Sequence, residues 1–551
     1  MALQVWLPLN GNLNNQGLTN TTVTNSGATV DNNGKIGKCY NFNSNKYLSV
    51  PNPITTSTTA FSISTWIYVT QFSNGFACVC SGRSSTSGAG IAFWVTPSYI
   101  RLDDGAMYIV NATISTGTWV HVCATWSSSK KSIYLNGQEL GSSTSISKLA
   151  NLSANMQIGS DASTTTTYCL NGKLNDFRIY DHALSPKEVE VLSRGLVCHY
   201  PLNGNGRGLP NLVKDSYLNR TSSSYSIAVL PFNPAPADNE QVTVSIKGQL
   251  GEGKWAWAIY NSGGNTEVTT VLNSDKVNGI YKKTFNWKVG STSNTSMYIW
   301  VYSSSTVVDS TIEWVKLEKG DTATMWMPNE ADTLYSQLGY DSTTEYDVSG
   351  YGYNGTKTGT FVYDVDTPRY SVCTNIKNAA YIKIQNLSTT GFSNSYSFAW
   401  WGKVPSYTGL MMWGFGDGMR LNGIFNGNLW NTGDGANNPL YVPGTTTQVT
   451  VPTTNVWHHW VMTGDGTTCK VYQDGELWAT AKTYKSIGSG TTIYINGWDG
   501  STNYKYNNYF MSDFRIYATA LSADDIKELY DTVASVANNG TLLTRGEFIE
   551  T

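Results

Sequence analysis

One closing segment occurs twice in this chain. Asn175-Asp176-Phe177-Arg178-Ile179-Tyr180-Asp181-His182-Ala183-Leu184-Ser185 returns as Ser512-Asp513-Phe514-Arg515-Ile516-Tyr517-Ala518-Thr519-Ala520-Leu521-Ser522, which restricts the chain to architectures that copy one unit. Apolar and polar residues alternate in both copies, as a strand requires. Ser185-Pro186-Lys187-Glu188 and Ser522-Ala523-Asp524-Asp525 have capping-box spacing and predict a short helix after each strand.

The repeat extends backwards. Trp119 precedes the Asn136-Gly137 turn by the same interval that separates Trp457 from Asp474-Gly475, and both turns lie between alternating runs, a hairpin signal. Phe61 to Val69 lies over Tyr396 to Val404, so Trp66 and Trp401 take one place and read as structural. Tyr47 to Val50 matches Tyr381 to Ile384, and Val5 to Gly11 matches Cys198 to Gly204. The interval from Leu202 to Tyr396 is far longer than that from Leu9 to Phe61, which implies an insertion in the second copy. The expected organisation is a first unit at 1–195, the opening strand of a second at 196–206, an inserted domain at 207–330, the rest of the second unit at 331–533 and a tail at 534–551. Insertions of this kind succeed at exposed loop tips.

Composition narrows the class. Charged residues are 14% of 551 and aromatics 13%, a balance that favours strands over helices. The fold class predicted is all-β: antiparallel β-sandwich or jelly-roll domains with short capped C-terminal helices. A net charge of −3 and the lack of a Lys or Arg run argue against nucleic acid as a partner. No apolar run is long enough for membrane insertion, and the first residues read as a strand with no signal peptide. The 8 cysteines include no paired Cys-x-x-Cys and do not recur with the repeat, so free buried thiols are expected, made in a reducing cytosol, with neither zinc nor disulfides.

Trp119-Val120-His121, Tyr134-Leu135-Asn136-Gly137 and Asp176 to Ser185, with Trp457-His458-His459, Tyr472-Gln473-Asp474-Gly475 and Asp513 to Ser522, resemble the hairpin and closing strand of laminin G-like, concanavalin A-like jelly rolls. The inserted stretch resembles a carbohydrate-binding-module sandwich. Its end, Trp314 to Pro328, resembles the ending common in tail and baseplate proteins of phages of Gram-positive bacteria, and Ala534 to Glu550 looks like the C-terminus of phage tail or minor structural proteins of gut bacteria. The resemblance implies a virion location, with synthesis in the host bacterial cytoplasm and other phage tail proteins as partners. No heptads announce a trimeric stalk, and a homo-oligomer stays open.

Catalytic chemistry is not expected. Glycosidases need two carboxylates flanking the scissile bond, and on concanavalin A-like folds these often sit on one strand as Glu-x-Asp-x-Glu. The nearest match, Glu330-Ala331-Asp332, lies at a domain edge beside Pro328. His121 and His459 recur in the hairpin and read as structural.

Sugar binding on a sandwich uses a flat aromatic platform with amides, acids or Arg to orient hydroxyls. The second unit offers Trp413, Asp417, Arg420, Asn422, Trp430, Asn431 and Asp434, which have no counterpart in the first; Trp94 and Arg101, with Tyr99 and Asp103, form a weaker set there. In the insert, Tyr298, Trp300 and Tyr302 share one face of a strand, and they form a groove if Ile299 and Val301 face the core. Asp103-Asp104 and Asp417 resemble the loop carboxylates that hold calcium in some laminin G-like domains, but no dense acidic loop accompanies them, so no metal or other cofactor is expected. The function expected is that of a phage tail-associated receptor-binding protein recognising host cell-surface glycans. A purely structural tail or baseplate component is the alternative, and a wall-polysaccharide hydrolase ranks below both.

Overall fold

The computed structural model describes residues 3–19, 21–43, 45–85, 90–164, 167–202, 211–261, 266–277, 279–290, 293–303, 308–321, 323, 326–329, 331–332, 343–347, 349–364, 373–376, 380–407, 411–415, 420–422, 431–432, 438–487, 492–497 and 509–536. These residues are almost entirely strands in antiparallel sheets, with two short α-helices at Pro186–Ser193 and Ala523–Val536. No described helix is long and apolar enough to cross a membrane.

The closing strand Leu170–Tyr180 lies inside an eight-stranded sheet. Ala60–Phe72 pairs with one edge, and Cys39–Phe42 and Leu3–Leu7 with the other. A seven-stranded sheet running from Met107–Asn111 to Thr24–Ser26 packs against it, and Phe177, Ile179, Ile63, Phe93 and Ile158 fill the space between. The second unit repeats this plan. Tyr509–Tyr517 is flanked by Tyr396–Lys403 and Cys373–Ile376, and Leu196–Tyr200 pairs along it with Cys198 opposite Ile516 and Tyr200 opposite Phe514. The opening strand of this jelly roll is therefore separated in sequence from its partner by a whole additional sandwich.

In both copies a bulge organises the closing strand. Pairing slips between Asn175 and Arg178, and Asp176 adopts φ +56°; Asp513 does the same. This left-handed conformation, which Asp tolerates better than most residues, puts Asp and Arg on the face away from the sandwich core. Asp176 Oδ1 lies 2.9 Å from Arg178 Nε, and Asp513 Oδ1 lies 2.8 Å from Arg515 Nε. A third group from the opening strand completes each pair. Trp6 Nε1 donates to Asp176 at 2.7 Å, and His199 Nε2 sits 2.7 Å from Asp513.

The hairpin turns and caps have simple causes. Asn136-Gly137 and Asp474-Gly475 both have φ > 0 at two successive residues, the twist that a two-residue hairpin requires. Ser185 Oγ accepts from Glu188 N while Ser185 N donates to Glu188; Ser522 and Asp525 do the same in the second copy. Trp66 packs on His121 and Trp401 on His459, at paired positions in each sheet. His121 is buried, with Nε2 2.9 Å from Ser64 Oγ, and burial pushes its pKa down to about 4.

The two jelly rolls pack directly together. Trp6, Ile36 and Trp66 join the hydrophobic cluster of the second one. Gly350 (φ +90°) lies so close to the Trp6 ring that a Cβ would sit 2.2 Å from it. Arg194 reaches across to Asp525 and Glu528, and Ala518 N donates to Gly195 O at 2.8 Å.

Between them in sequence lies a sandwich of a five-stranded and a four-stranded sheet, closed over Trp257, Trp287, Tyr281 and Ile299. The stretch after Ser310–Lys319 folds back on the five-stranded sheet. There Trp326 stacks on Trp314 at 5.9 Å, and Lys316 and Glu318 form a fully buried ion pair at 3.0 Å. The end of the Trp314 to Pro328 motif, through Trp326, is therefore a strap that fastens the last strand of this domain.

Two outcomes are expected. Asp176→Ala leaves Arg178 buried without its carboxylate and should cost about 3–5 kcal/mol in denaturant unfolding; a loss below about 1 kcal/mol would show that the pair is not needed. For His121, the unfolded chain takes up a proton near pH 6.5 and the folded one only near 4. Stability should therefore fall as pH drops from about 6.5 to 4, by on the order of 3 kcal/mol, and this limb should vanish in His121→Phe.

Candidate functional site

The Ser296–Ser303 strand alternates strictly. Met297, Ile299 and Val301 point into the core of the inserted sandwich, which leaves Tyr298, Trp300 and Tyr302 on the outer face of the four-stranded sheet. Neighbouring strands widen this row into a platform. Tyr260 lies 4.3 Å from Trp300, and Tyr225, just before the edge strand, lies 5.1 Å from it. Trp255 lies 5.2 Å from Tyr302. The rims face solvent, with Tyr225 52% and Trp255 49% exposed. Large aromatics left so open, on a domain that has a closed core of its own, form a surface able to stack against the C–H face of a ring.

Among the described residues a single carboxylate serves this platform. Glu267 accepts from Tyr302 at 2.8 Å and from Tyr260 at 3.2 Å through Oε2, and from Thr270 at 2.5 Å through Oε1. The Thr270 bond first, then those from the two tyrosines, holds the Glu267 carboxyl below its usual range. Burial, followed by its bonds to Tyr260 and Glu267, pushes the Tyr302 phenol up. The result is a charged acceptor with protonated phenols beside an apolar surface, suited to orienting hydroxyl groups.

Trp255, Tyr225 and Glu267 are not evident from the sequence pattern. Simple alternation puts Trp255 on the face of Trp257 and Ile259. Instead the pairing slips between Lys254 and Ala256, which turns Trp255 outward while Trp257 stays in the core. Tyr260 could have been found from its alternation with Ile259.

The other predicted residues are placed differently. Trp413 is a core residue, contrary to the platform role expected of it: it is fully buried in Met411–Phe415 and stacked 4.0 Å from Phe398. Its segment forms a sheet strand despite the flanking glycines, and the aromatic side chain fills the sandwich. Arg420, Asn422 and Asn431 lie on short strands, Arg420 opposite Gly414 and Asn422 opposite Asn431; their side chains, and Asp417, Trp430 and Asp434 altogether, lie outside the described residues. Trp94 is likewise no platform, being buried between Phe76 and Tyr168 with the Arg83 guanidinium 5.2 Å from its ring. Arg101 places two bonds of 2.6 Å on Asp103, and Asp104 binds Lys131 at 2.7 Å and Trp126 Nε1 at 2.8 Å. These groups hold the first jelly roll together.

Among the described residues one carboxylate cluster, Glu190 with Asp525 and Glu528, brings three acids together. Arg194 and Lys187 occupy it, with contacts of 2.5–3.0 Å, as a bridge between the jelly rolls. Seven buried cysteines are free thiols.

The core and platform tryptophans should separate in thermal unfolding. Trp413→Ala should cost about 3–5 kcal/mol, whereas Trp300→Ala should cost about 1 kcal/mol or less. Equal losses would place Trp300 in the core.

The chain is similar to several known proteins. The chain matches 26% of residues over 115 with Pentraxin-related protein PTX3 of Bos taurus, covering 19% of this chain and 30% of that protein; it thus spans about 30% of the length of the curated relative it matches. Among solved structures, domain 4 of AbnA, a GH43 extracellular arabinanase from Geobacillus stearothermophilus, in complex with arabinotriose, is 22% identical over 35% of this chain and 98% of that one (TM-score 0.29). A heptameric SAP-like pentraxin from Limulus polyphemus is 19% identical over 25% and 71% (TM-score 0.21). The family model of the concanavalin A-like lectin/glucanases superfamily matches residues 42–190 and 377–527, one stretch in each jelly roll and just over half of the chain. The protein therefore belongs to the concanavalin A-like lectin/glucanases superfamily.

Proposed function

We propose that the protein is a phage tail-associated adhesin that recognises host cell-surface glycans and carries out no catalytic step. The observation that carries this reading is the outward platform of Tyr225, Trp255, Tyr260, Tyr298, Trp300 and Tyr302 with Glu267 at its edge. Membership of a superfamily of lectins and glucanases supports a glycan as ligand. The role of Glu267 in this reading is to accept sugar hydroxyls, since its oxygens are already shared among three hydroxyl donors and no second acid faces it across the platform among the described residues. The tail assignment is supported by the resemblance of the Trp314 to Pro328 strap and of the C-terminal segment to tail proteins. Free buried thiols accord with synthesis in a reducing host cytoplasm and assembly into a virion. One stacking platform binds weakly, and many virion copies would supply avidity.

A structural role in the tail is the second reading. Val229 (47% exposed) and Leu272 (38%) flank the platform, and a protein partner would cover them better than a sugar would.

The test is binding of the multimerised protein to intact Gram-positive gut bacteria and their wall polysaccharides. Trp300→Ala or Trp255→Ala should weaken saturable binding about tenfold with folding unchanged. Absence of binding to any host, together with a tight complex with another tail protein, would favour the structural reading.

A further inference from the structure

A second surface lies far from the platform in sequence, where the two jelly rolls meet. There a cleft of about 350 Å³ is lined by Asn10 and Lys38 of the first unit and by residues of the second that include Tyr353, Thr356, Lys383 and Gln385. Its floor is fixed. Asn10 donates to Tyr351 O at 3.0 Å and accepts from Tyr353 Oη at 3.2 Å and Lys38 N at 2.9 Å, while Trp6 packs edge-on against Tyr351 beneath.

The cleft has a basic lining. The whole chain is net negative at −3, yet the lining holds two lysines, one from each jelly roll, and no acid. Lys38 and Lys383 have no carboxylate within ion-pairing distance among the described residues.

The cleft also opens onto a sheet face with the right chemistry. Ile382 and Ile384 point into the core, which puts Tyr381, Lys383 and Gln385 on the outer face of the seven-stranded sheet. Lys383 stands in register between Thr356 and Tyr494. Tyr381 and Tyr494 bring their rings to 5.6 Å on that face. Aromatic surface, amide and hydroxyl groups and two unpaired ammonium groups thus follow one another along a single path.

We propose that this junction is a second binding site, for an acidic glycan whose carboxylate or phosphate groups lie between Lys38 and Lys383 while a neighbouring sugar ring rests on Tyr381 and Tyr494. Ammonium groups pair with either anion as point charges, so the shared chemistry is an anionic saccharide chain. The site exists only when the two jelly rolls are docked, because each contributes one lysine.

The full chain would be titrated by calorimetry with an oligogalacturonate, a short glycerol-phosphate polymer and a neutral glucan oligomer of equal length, at low and high salt. With the platform removed by Trp300→Ala, at least one anionic oligomer should bind, more weakly as salt rises, and the neutral one should not. Lys38→Gln with Lys383→Gln should weaken that binding about tenfold or more, and Lys→Arg at both positions should retain it. Trp300→Ala should leave it unchanged, so failure here is distinct from failure of the platform. A preference for galacturonate would identify a carboxylated sugar, and a preference for the polymer a phosphorylated chain. The proposal is overturned if the neutral oligomer binds the Trp300→Ala chain equally well, if neither anion binds, or if the double Gln variant, melting like the parent, binds as the parent does.

Discussion

Each jelly roll depends on an Asp–Arg pair made within a single strand. A straight strand would hold Asp176 and Arg178 at its regular spacing; the bulge at φ +56° instead sets the carboxylate against Arg178 Nε and within reach of the opening strand. Buried charges of this kind are tolerated only when paired and hydrogen-bonded. The strand that starts each unit must therefore lie beside the strand that ends it, since it carries the third group, Trp6 or His199. Ends that meet at one polar triad leave the other face of the same strand free to supply Phe177 and Ile179, or Phe514 and Ile516, to the apolar core.

The junction reuses those same residues. Trp6 donates to Asp176 with its nitrogen, lies 4.4 Å from the Arg178 guanidinium and offers its far edge to Tyr351 and Gly350 of the second unit. Lys35 is buried here over the Trp66 ring, and burial pushes its pKa down to about 8. The docked arrangement thus grows out of the internal polar triad of the first copy, whereas the same triad in the second copy has the smaller His199 in place of the indole.

What could be read in the sequence follows from how local each determinant is. The all-β class, the Asn136-Gly137 and Asp474-Gly475 turns and the two serine caps depend on a few adjacent residues, and each occurs as expected. Period two grouped Tyr298, Trp300 and Tyr302 correctly, but which face of their strand looks outward was decided by the core it covers, with Trp257 beside Val301 in the same sheet and Tyr281 in the facing one. Trp255 was hidden by a one-residue slip, which turns it to the face opposite Trp257 and Ile259. Trp413 failed for the opposite reason. Its glycine neighbours suggest a loop, whereas the ring turns inward to stack on Phe398, a residue of the other sheet.

The pairing of Leu196–Tyr200 with Tyr509–Tyr517 also has a temporal side. During synthesis at about 5–20 residues per second, the opening strand of the second jelly roll waits on the order of half a minute for its partner, while the intervening sandwich folds. The first copy's Leu170–Tyr180 strand is already complete and ends in the same Asp-Phe-Arg-Ile-Tyr sequence, an inviting wrong partner. Leu3–Leu7 already fills that slot, and His199 cannot replace the Trp6 packing on Arg178 and Tyr351. Indole in one opening strand and imidazole in the other thus give each closing strand a distinct third partner for its Asp–Arg pair.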